Sequence, residues 1–178
     1  MVPQRASEQH YSTMTEFDLS QLPVSELAAR DCALFMWATS SHLPEAMRLA
    51  ECWGFKYASK AFCWAKLNKN AEAKHYERLC RIDDGKSKDG DFQPLSHASN
   101  YFMGMGHSTR RNTEDCWLFT RGNPKRNGKG VRELIVSPIR EHSRKPDETY
   151  DRIEALFSGD KAEPVSYTHL TLPTICSV

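Results

Sequence analysis

The run "CALFMWATS", Cys32 to Ser40, constrains this chain more than any other stretch. Seven consecutive residues are apolar, with no polar position left for a solvent-facing side. The run has the length of a strand, and a strand apolar on both faces must be covered on both faces. The rest of the chain supplies the covering layers. "LPEAMRLAECWG" reads as a helix with Pro44 near its start, an apolar face of Leu43, Ala46, Met47, Ala50 and Trp53, and Gly54 as terminator. "FKYASKAFCWAKLN" reads as a second strand, "DCWLFTRG" and "VRELIVSPI" as further strands. Upstream, Thr15 and Asp18 form a capping-box pattern opening a short helix near residues 16–21, and Pro23 opens another. Strands alternating with helices predict an α/β fold with a largely parallel sheet.

With 178 residues the chain is long enough for one domain with a substantial core. A net charge of +1 excludes polyanion binding by overall charge alone. No apolar run approaches the roughly 18 residues of a membrane span. The start, "MVPQRASEQHYSTM", lacks the apolar centre of a signal peptide. These features predict a cytoplasmic protein with no membrane partner. The six cysteines (Cys32, Cys52, Cys63, Cys80, Cys116, Cys176) show no close paired spacing, so they offer neither a metal site nor a disulfide framework. Reduced thiols are expected.

Two segments stand apart from the strand–helix series. Residues 69–100 are polar and carry Gly85, Gly90 and Pro94, which predicts a surface insertion with room for one short helix. Residues 164–178, "PVSYTHLTLPTICSV", hold no charge and show neither helical nor strand period. They look like the translation of a sequencing-library adapter, so 1–163 is taken as one partial domain and 164–178 as a non-native tail expected to form no element.

"EHSRKPDETYDRI", Glu141 to Ile153, breaks a local rule. Pro146, Asp147 and Glu148 suit the start of a helix, whose amino end favours negative charge. Tyr150, Ile153 and Phe157 then recur at helical spacing. Arg144 and Lys145 nevertheless sit at that same end. A cation pair there suits an anion bound from outside.

Taken in order, "HYSTM", "LFMWAT", "WGFKYASKAFCWAK", "GMGHSTRRNTEDCWLFTRGNP" and "VRELIVSPIREHSRKPDETYDRIEAL" resemble the MT-A (A-seventy) family of adenine-N6 methyltransferases. The likeness is greatest to the compact phage and bacterial DNA enzymes, and it covers roughly Ser7 to Ala162 outside the insertion. The resemblance implies a Rossmann-like S-adenosylmethionine-dependent methyltransferase fold with permuted motif order. It implies S-adenosyl-L-methionine as cofactor, DNA as partner with RNA as second choice, and the cytoplasm of a bacterial or phage-infected cell. The family's Asp-Pro-Pro-Trp motif, expected just before "HYSTM", occurs nowhere in this sequence. A chain incomplete at both ends, and inactive as written, is the expectation. No catalytic residue is therefore assigned.

By the same resemblance Lys145 matches a cofactor-contacting lysine, and Tyr11 a tyrosine near the target base. Trp37 and Thr39 end the first buried strand, where open α/β sheets bind ligands. Trp37 either walls the adenine pocket or fills core. Lys66 and Asn68 match a Trp-x-Lys-x-Asn pattern that lines the substrate pocket, with strand-end solvation as the plain alternative. Glu114 matches a glutamate near the target nucleotide, with an ion pair to Arg110 or Arg111 as its alternative. His107 either touches substrate or turns its loop, and "GMG" is too short for a phosphate loop. Finally, Arg110, Arg111, Lys125 and Arg126 belong to a basic segment suited to a phosphate backbone. A non-catalytic family member that binds nucleic acid or a partner subunit is the second reading. Oligomeric state is left open by the sequence.

Overall fold

The computed structural model describes residues 14–72, 98–106, 108–141, 144–157, 159, 161–162 and 170–177. Tyr11, His107 and most of the predicted insertion lie outside the described residues. The chain divides into two compact units. The first comprises residues up to Cys63, Glu114–Glu133 and those from Asp147 onward; the second comprises Trp64–Thr113 and Leu134–Pro146.

The first unit begins with helix α1, Glu16–Ser20. Its capping box is present in full: the Thr15 hydroxyl accepts from the Asp18 amide at 3.1 Å, and the Asp18 carboxylate accepts from the Thr15 amide at 3.1 Å. Helix α2, Val24–Leu27, follows from Pro23. Strand β1 is Cys32–Ala38, and all seven residues are buried, as the apolar run predicts. Helix α3 is Leu43–Cys52 and ends at Gly54, whose φ of 83° is a conformation that costs glycine nothing. The helix buries Ala46, Leu49 and Ala50, so Leu49 joins the predicted face while Leu43 and Met47 are only half-buried.

Alternation along β1 explains the layering. Cys32, Leu34, Met36 and Ala38 pack with Leu19, Val24, Leu49 and Trp53 from the helices α1 to α3. Phe35 points the other way, stacked on Phe62 and edge-on to Phe157, each with ring centroids 6.0 Å apart. Phe62 lies on strand β2, Lys56–Leu67, and Phe157 caps helix α4, Glu148–Leu156. The helix thus starts two residues after Pro146, with Asp147 at its N-cap. The sheet of this unit runs β2, β3 (Thr113–Arg121), β1, β6 (Leu170–Ser177), β5 (Lys161–Ala162).

Two expectations are corrected here. β1 pairs antiparallel with β3 from Cys32↔Arg121 to Ala38↔Asp115, antiparallel with β6, and β6 is antiparallel with β5. A largely parallel sheet was expected because the strands are buried; burial fixes which faces are covered, not which way the chain runs. Residues 170–177, expected to form no element, form β6 along the second edge of β1. An uncovered edge of β1 would leave its amides and carbonyls without partners, and an uncharged segment rich in β-branched residues suits that edge. The ladder shifts register between Phe35 and Trp37, opposite Leu172 and Pro173. Proline has no amide to donate, so the irregularity falls where the ladder has least to gain.

In the second unit the end of β2 neighbours strand β4, Leu134–Pro138, and Ile135 is fully buried. β4 begins one residue later than Glu133 and is shorter than the apolar stretch suggested. The Trp64 indole donates to the Ser137 carbonyl at 3.0 Å. The two ends of the predicted insertion are tied together, because the Asn68 amide donates to the Asn100 carbonyl at 2.7 Å.

Candidate functional site

In the first unit, Trp37, Thr39 and Glu114 gather at the carboxyl end of β1. The last ladder pair is Ala38↔Asp115, so Thr39 and Glu114 are the next residues on either side of it. Trp37 is 8% exposed and paired with Cys116 on β3 and Thr171 on β6, which makes it a core residue. The Thr39 hydroxyl lies 2.9 Å from His42 Nδ1 and 3.2 Å from the Ser41 hydroxyl. A polar cluster thus follows directly on the apolar strand.

Lys125 and Arg126 lie elsewhere. β3 ends at Arg121 beside Cys32, the opposite end of β1. The loop leaving it is fixed there by the Asn123 amide donating to Asp31 Oδ1 at 2.6 Å, and by the Asn127 amide donating to the Leu156 carbonyl at 2.9 Å. Both basic side chains are exposed. At about 3.3 Å per strand residue, the length of β1 separates them from Thr39 and Glu114.

β2 and β3 carry a charged cluster that the sequence did not single out. Lys60 Nζ is 2.9 Å from Glu133 Oε1 and 3.8 Å from Asp115 Oδ1. The Glu133 hydrogen bond holds the Lys60 ammonium above the usual lysine range. Cys63 is half-buried, and burial, reinforced by the Asp115 carboxylate, pushes its thiol up. That makes it a poor nucleophile.

The second unit brings Lys66, Asn68, Arg110, Arg111 and Lys145 into one compact body. Lys66 Nζ lies 5.2 Å from the Trp64 ring centroid and 5.8 Å from that of Phe102, a cation between two aromatic faces. Asn68 has a different task. Its side-chain amide donates to the Ser99 carbonyl at 3.0 Å and the Tyr101 carbonyl at 3.2 Å, which fixes the returning chain. A hairpin neck then closes between Gly104 and Arg111 by paired backbone bonds of 2.8 and 3.1 Å. "GMG" is a steric requirement of that neck: a Cβ on Gly106 would sit 2.0 Å from the Thr109 carbonyl oxygen. Arg110 is exposed and Arg111 half-buried.

Lys145 is half-buried, and its carbonyl accepts from Arg140 Nη2 at 3.3 Å. Arg144 pairs with Glu141 at 3.3 Å, which accounts for one of the two cations ahead of the helix. A hydrogen bond from its own backbone amide, and then the Arg144 bond and the neighbouring guanidinium groups, hold the Glu141 carboxyl below the usual glutamate range. Among the described residues, no helix is long and apolar enough to cross a membrane.

The sheet, with helices packed against it, defines an α/β protein. Residues 1–82 and 96–166 match the MT-A70 family model, so the chain belongs to the MT-A70 family, a family of adenine-N6 methyltransferases. The unmatched residues 83–95 fall inside the predicted insertion. The chain is 29% identical over 156 residues to the type II methyltransferase M.MunI of Mycoplasma sp, covering 86% of this chain and 52% of that protein. It is 28% identical over 147 residues to an N(6)-adenosine-methyltransferase MT-A70-like protein of Arabidopsis thaliana, covering 83% and 17%. Against the human N(6)-adenosine-methyltransferase catalytic subunit METTL3 the identity is 26% over 152 residues, covering 85% and 21%. The chain thus spans about half the length of the first relative and about a fifth of the others.

Proposed function

We propose that this chain is part of an S-adenosylmethionine-dependent methyltransferase acting on N6 of adenine in DNA, with a Rossmann-like fold of permuted motif order. The observation that carries the reading is the meeting of Trp37, Thr39 and Glu114 at one end of β1, in a chain of this family. An aromatic edge there suits the face of an adenine, and the polar groups suit its amine. Lys66, held between Trp64 and Phe102, supplies a cation in the second unit for the substrate's phosphate or base edge. Lys125 and Arg126, at the other end of β1, suit a more distant phosphate of an extended polyanion.

The donor set fits the cofactor. The methionine part ends in a carboxylate, and Lys145 offers an ammonium on a backbone fixed by Arg140. When bound, S-adenosylmethionine supplies an electrophilic methyl group. The exocyclic amine is a weak nucleophile because its lone pair is delocalised into the ring, so groups accepting its hydrogens are needed in the transition state. The family makes those contacts with Asp-Pro-Pro-Trp, absent from this sequence. We therefore infer that the chain as written does not transfer methyl groups, whereas a product extended upstream does. The cytoplasm, where cofactor and DNA coexist, is the compartment this reading requires.

The test is tritiated-methyl transfer to unmethylated DNA and to RNA by this chain and an upstream-extended one. Transfer to DNA by the extended chain alone is expected. Robust methylation by this chain would refute the need for the motif, and an inactive extended chain would favour a non-catalytic binding member. Preferential transfer to RNA would favour a second reading, supported by the N(6)-adenosine-methyltransferase relatives. Calorimetry with S-adenosylhomocysteine tests Lys145: binding by the extended chain should weaken on Lys145→Ala.

A further inference from the structure

The Gly104–Arg111 hairpin carries two side chains that its own fold does not use. Met103 is 72% exposed and Met105 84% exposed, the two most exposed large apolar side chains among the described residues. Exposure alternates along the segment: Phe102, Gly104 and Gly106 are half-buried, while Met103 and Met105 face out. Period-two alternation marks an extended chain with one face in and one out. The inward face is occupied, because the Phe102 ring lies 5.8 Å from Lys66 Nζ and 3.0 Å from where a Cβ on Gly104 would stand. The neck is closed by backbone bonds and by glycines, with no contribution required from either methionine. On the return side Arg110 is exposed, while Arg111, paired with Gly104, is half-buried on the inward face.

Two unbranched apolar side chains presented on a narrow hairpin beside the exposed Arg110 suit one partner in particular. Guanidinium groups bind phosphate, and slender apolar side chains enter an opened base step and keep it unstacked. An enzyme that methylates adenine in a duplex must take the base out of the stack and leave a gap behind. We propose that Met103 and Met105 are a wedge that inserts into the duplex where the target adenine has left it, with Arg110 on a flanking phosphate. The proposal rests on the DNA reading above and adds positioning residues to it.

The probe is a pair of labelled duplexes, one fully paired and one with a central abasic site, titrated against the full chain by fluorescence anisotropy. The parent should prefer the abasic duplex by about tenfold, because the unstacking has been done in advance. Met103→Ala/Met105→Ala should lose that preference and keep affinity for the paired duplex within about twofold, since charge dominates it. Met103→Leu/Met105→Leu should retain the preference. Both methionines are exposed, so neither double variant endangers the fold. Equal, salt-sensitive affinity of the parent for both duplexes overturns the wedge and leaves the DNA reading standing. A preference that survives in the double-alanine variant also overturns it. Binding to neither duplex, with binding to single-stranded RNA or self-association through the hairpin, overturns wedge and DNA reading together.

Discussion

β3 and β6 flank the same strand and are held to it in different ways. β3 pairs with β1 over seven consecutive residues without a break. It also sends Cys116 and Phe119 into the core, and the Trp117 indole donates to the Ala38 carbonyl at 3.4 Å. The ladder of β6 is interrupted beside Pro173. β3 joins by ladder and packing together; the ladder of β6 along the other edge of β1 is broken. Backbone pairing alone returns little net free energy, because the unfolded chain bonds to water instead. Packing of large side chains returns much more.

The largest effect expected follows from that difference. Phe119 is fully buried and edge-on to Tyr57 at 5.9 Å. Phe119→Ala should cost about 3–5 kcal/mol in urea unfolding, the usual loss for a large aromatic side chain in a core. Phe35→Ala, which would remove the stacking with Phe62 and Phe157, should rank beside it.

Deleting residues 170–177 should cost less, about 1–3 kcal/mol, since the lost hydrogen bonds are partly offset by the released entropy of eight residues. It should also make the chain self-associate, because the edge of β1 is left open. Urea unfolding and light scattering on the same samples read both effects. A deletion costlier than Phe119→Ala would reverse the ranking of the two strands and make β6 an integral part of the core.

How much could be read beforehand follows the same division. "CALFMWA" was legible because seven buried positions in a row admit few structures, and the Thr15–Asp18 box because capping is local. Strand direction was not legible, since Phe35 is equally buried in a parallel or an antiparallel sheet. β6 was missed because an uncharged, proline-containing segment says nothing about an open edge elsewhere in the chain. For the site, the sequence brought out Trp37, Thr39 and Glu114, which meet at one end of β1. It could not show that β3 carries the chain toward Lys125 and Arg126 at the end of β1 away from Thr39 and Glu114. Asn68 looked like a pocket residue, yet its amide is engaged by Ser99 and Tyr101. Met103 and Met105 passed unnoticed: exposure, which makes them unusual, is invisible until Phe102 and Gly104 are seen to take the inward face.

Smaller still is the contribution of the α1 cap, a purely local satisfaction of backbone groups. Thr15→Ala should cost about 1 kcal/mol in urea unfolding. A loss as large as that of Phe119→Ala would mean that α1 organises the helical face of β1 rather than merely lying on it.

The smallest effects are those of single exposed charges, and their pH windows tell the two kinds of contact apart. The Thr15 hydroxyl, and then its backbone amide, hold the Asp18 carboxyl below the usual aspartate range. A depressed folded value means the contribution is fully present above the unfolded value of about 3.9 and is lost as pH falls through the folded one. Lys60 is shifted the other way: the Glu133 hydrogen bond raises it, so its contribution is present below the unfolded value of about 10.4 and is lost as pH rises through the folded one. Stability should therefore be measured against pH for the parent, Asp18→Asn and Lys60→Met. The gap between parent and Asp18→Asn should close below about pH 4, and the gap between parent and Lys60→Met should close only above about pH 10. A gap for Asp18→Asn that stayed constant into acid would show that the cap stabilises the helix without its charge. The α1 end would then be held by neutral hydrogen bonds alone.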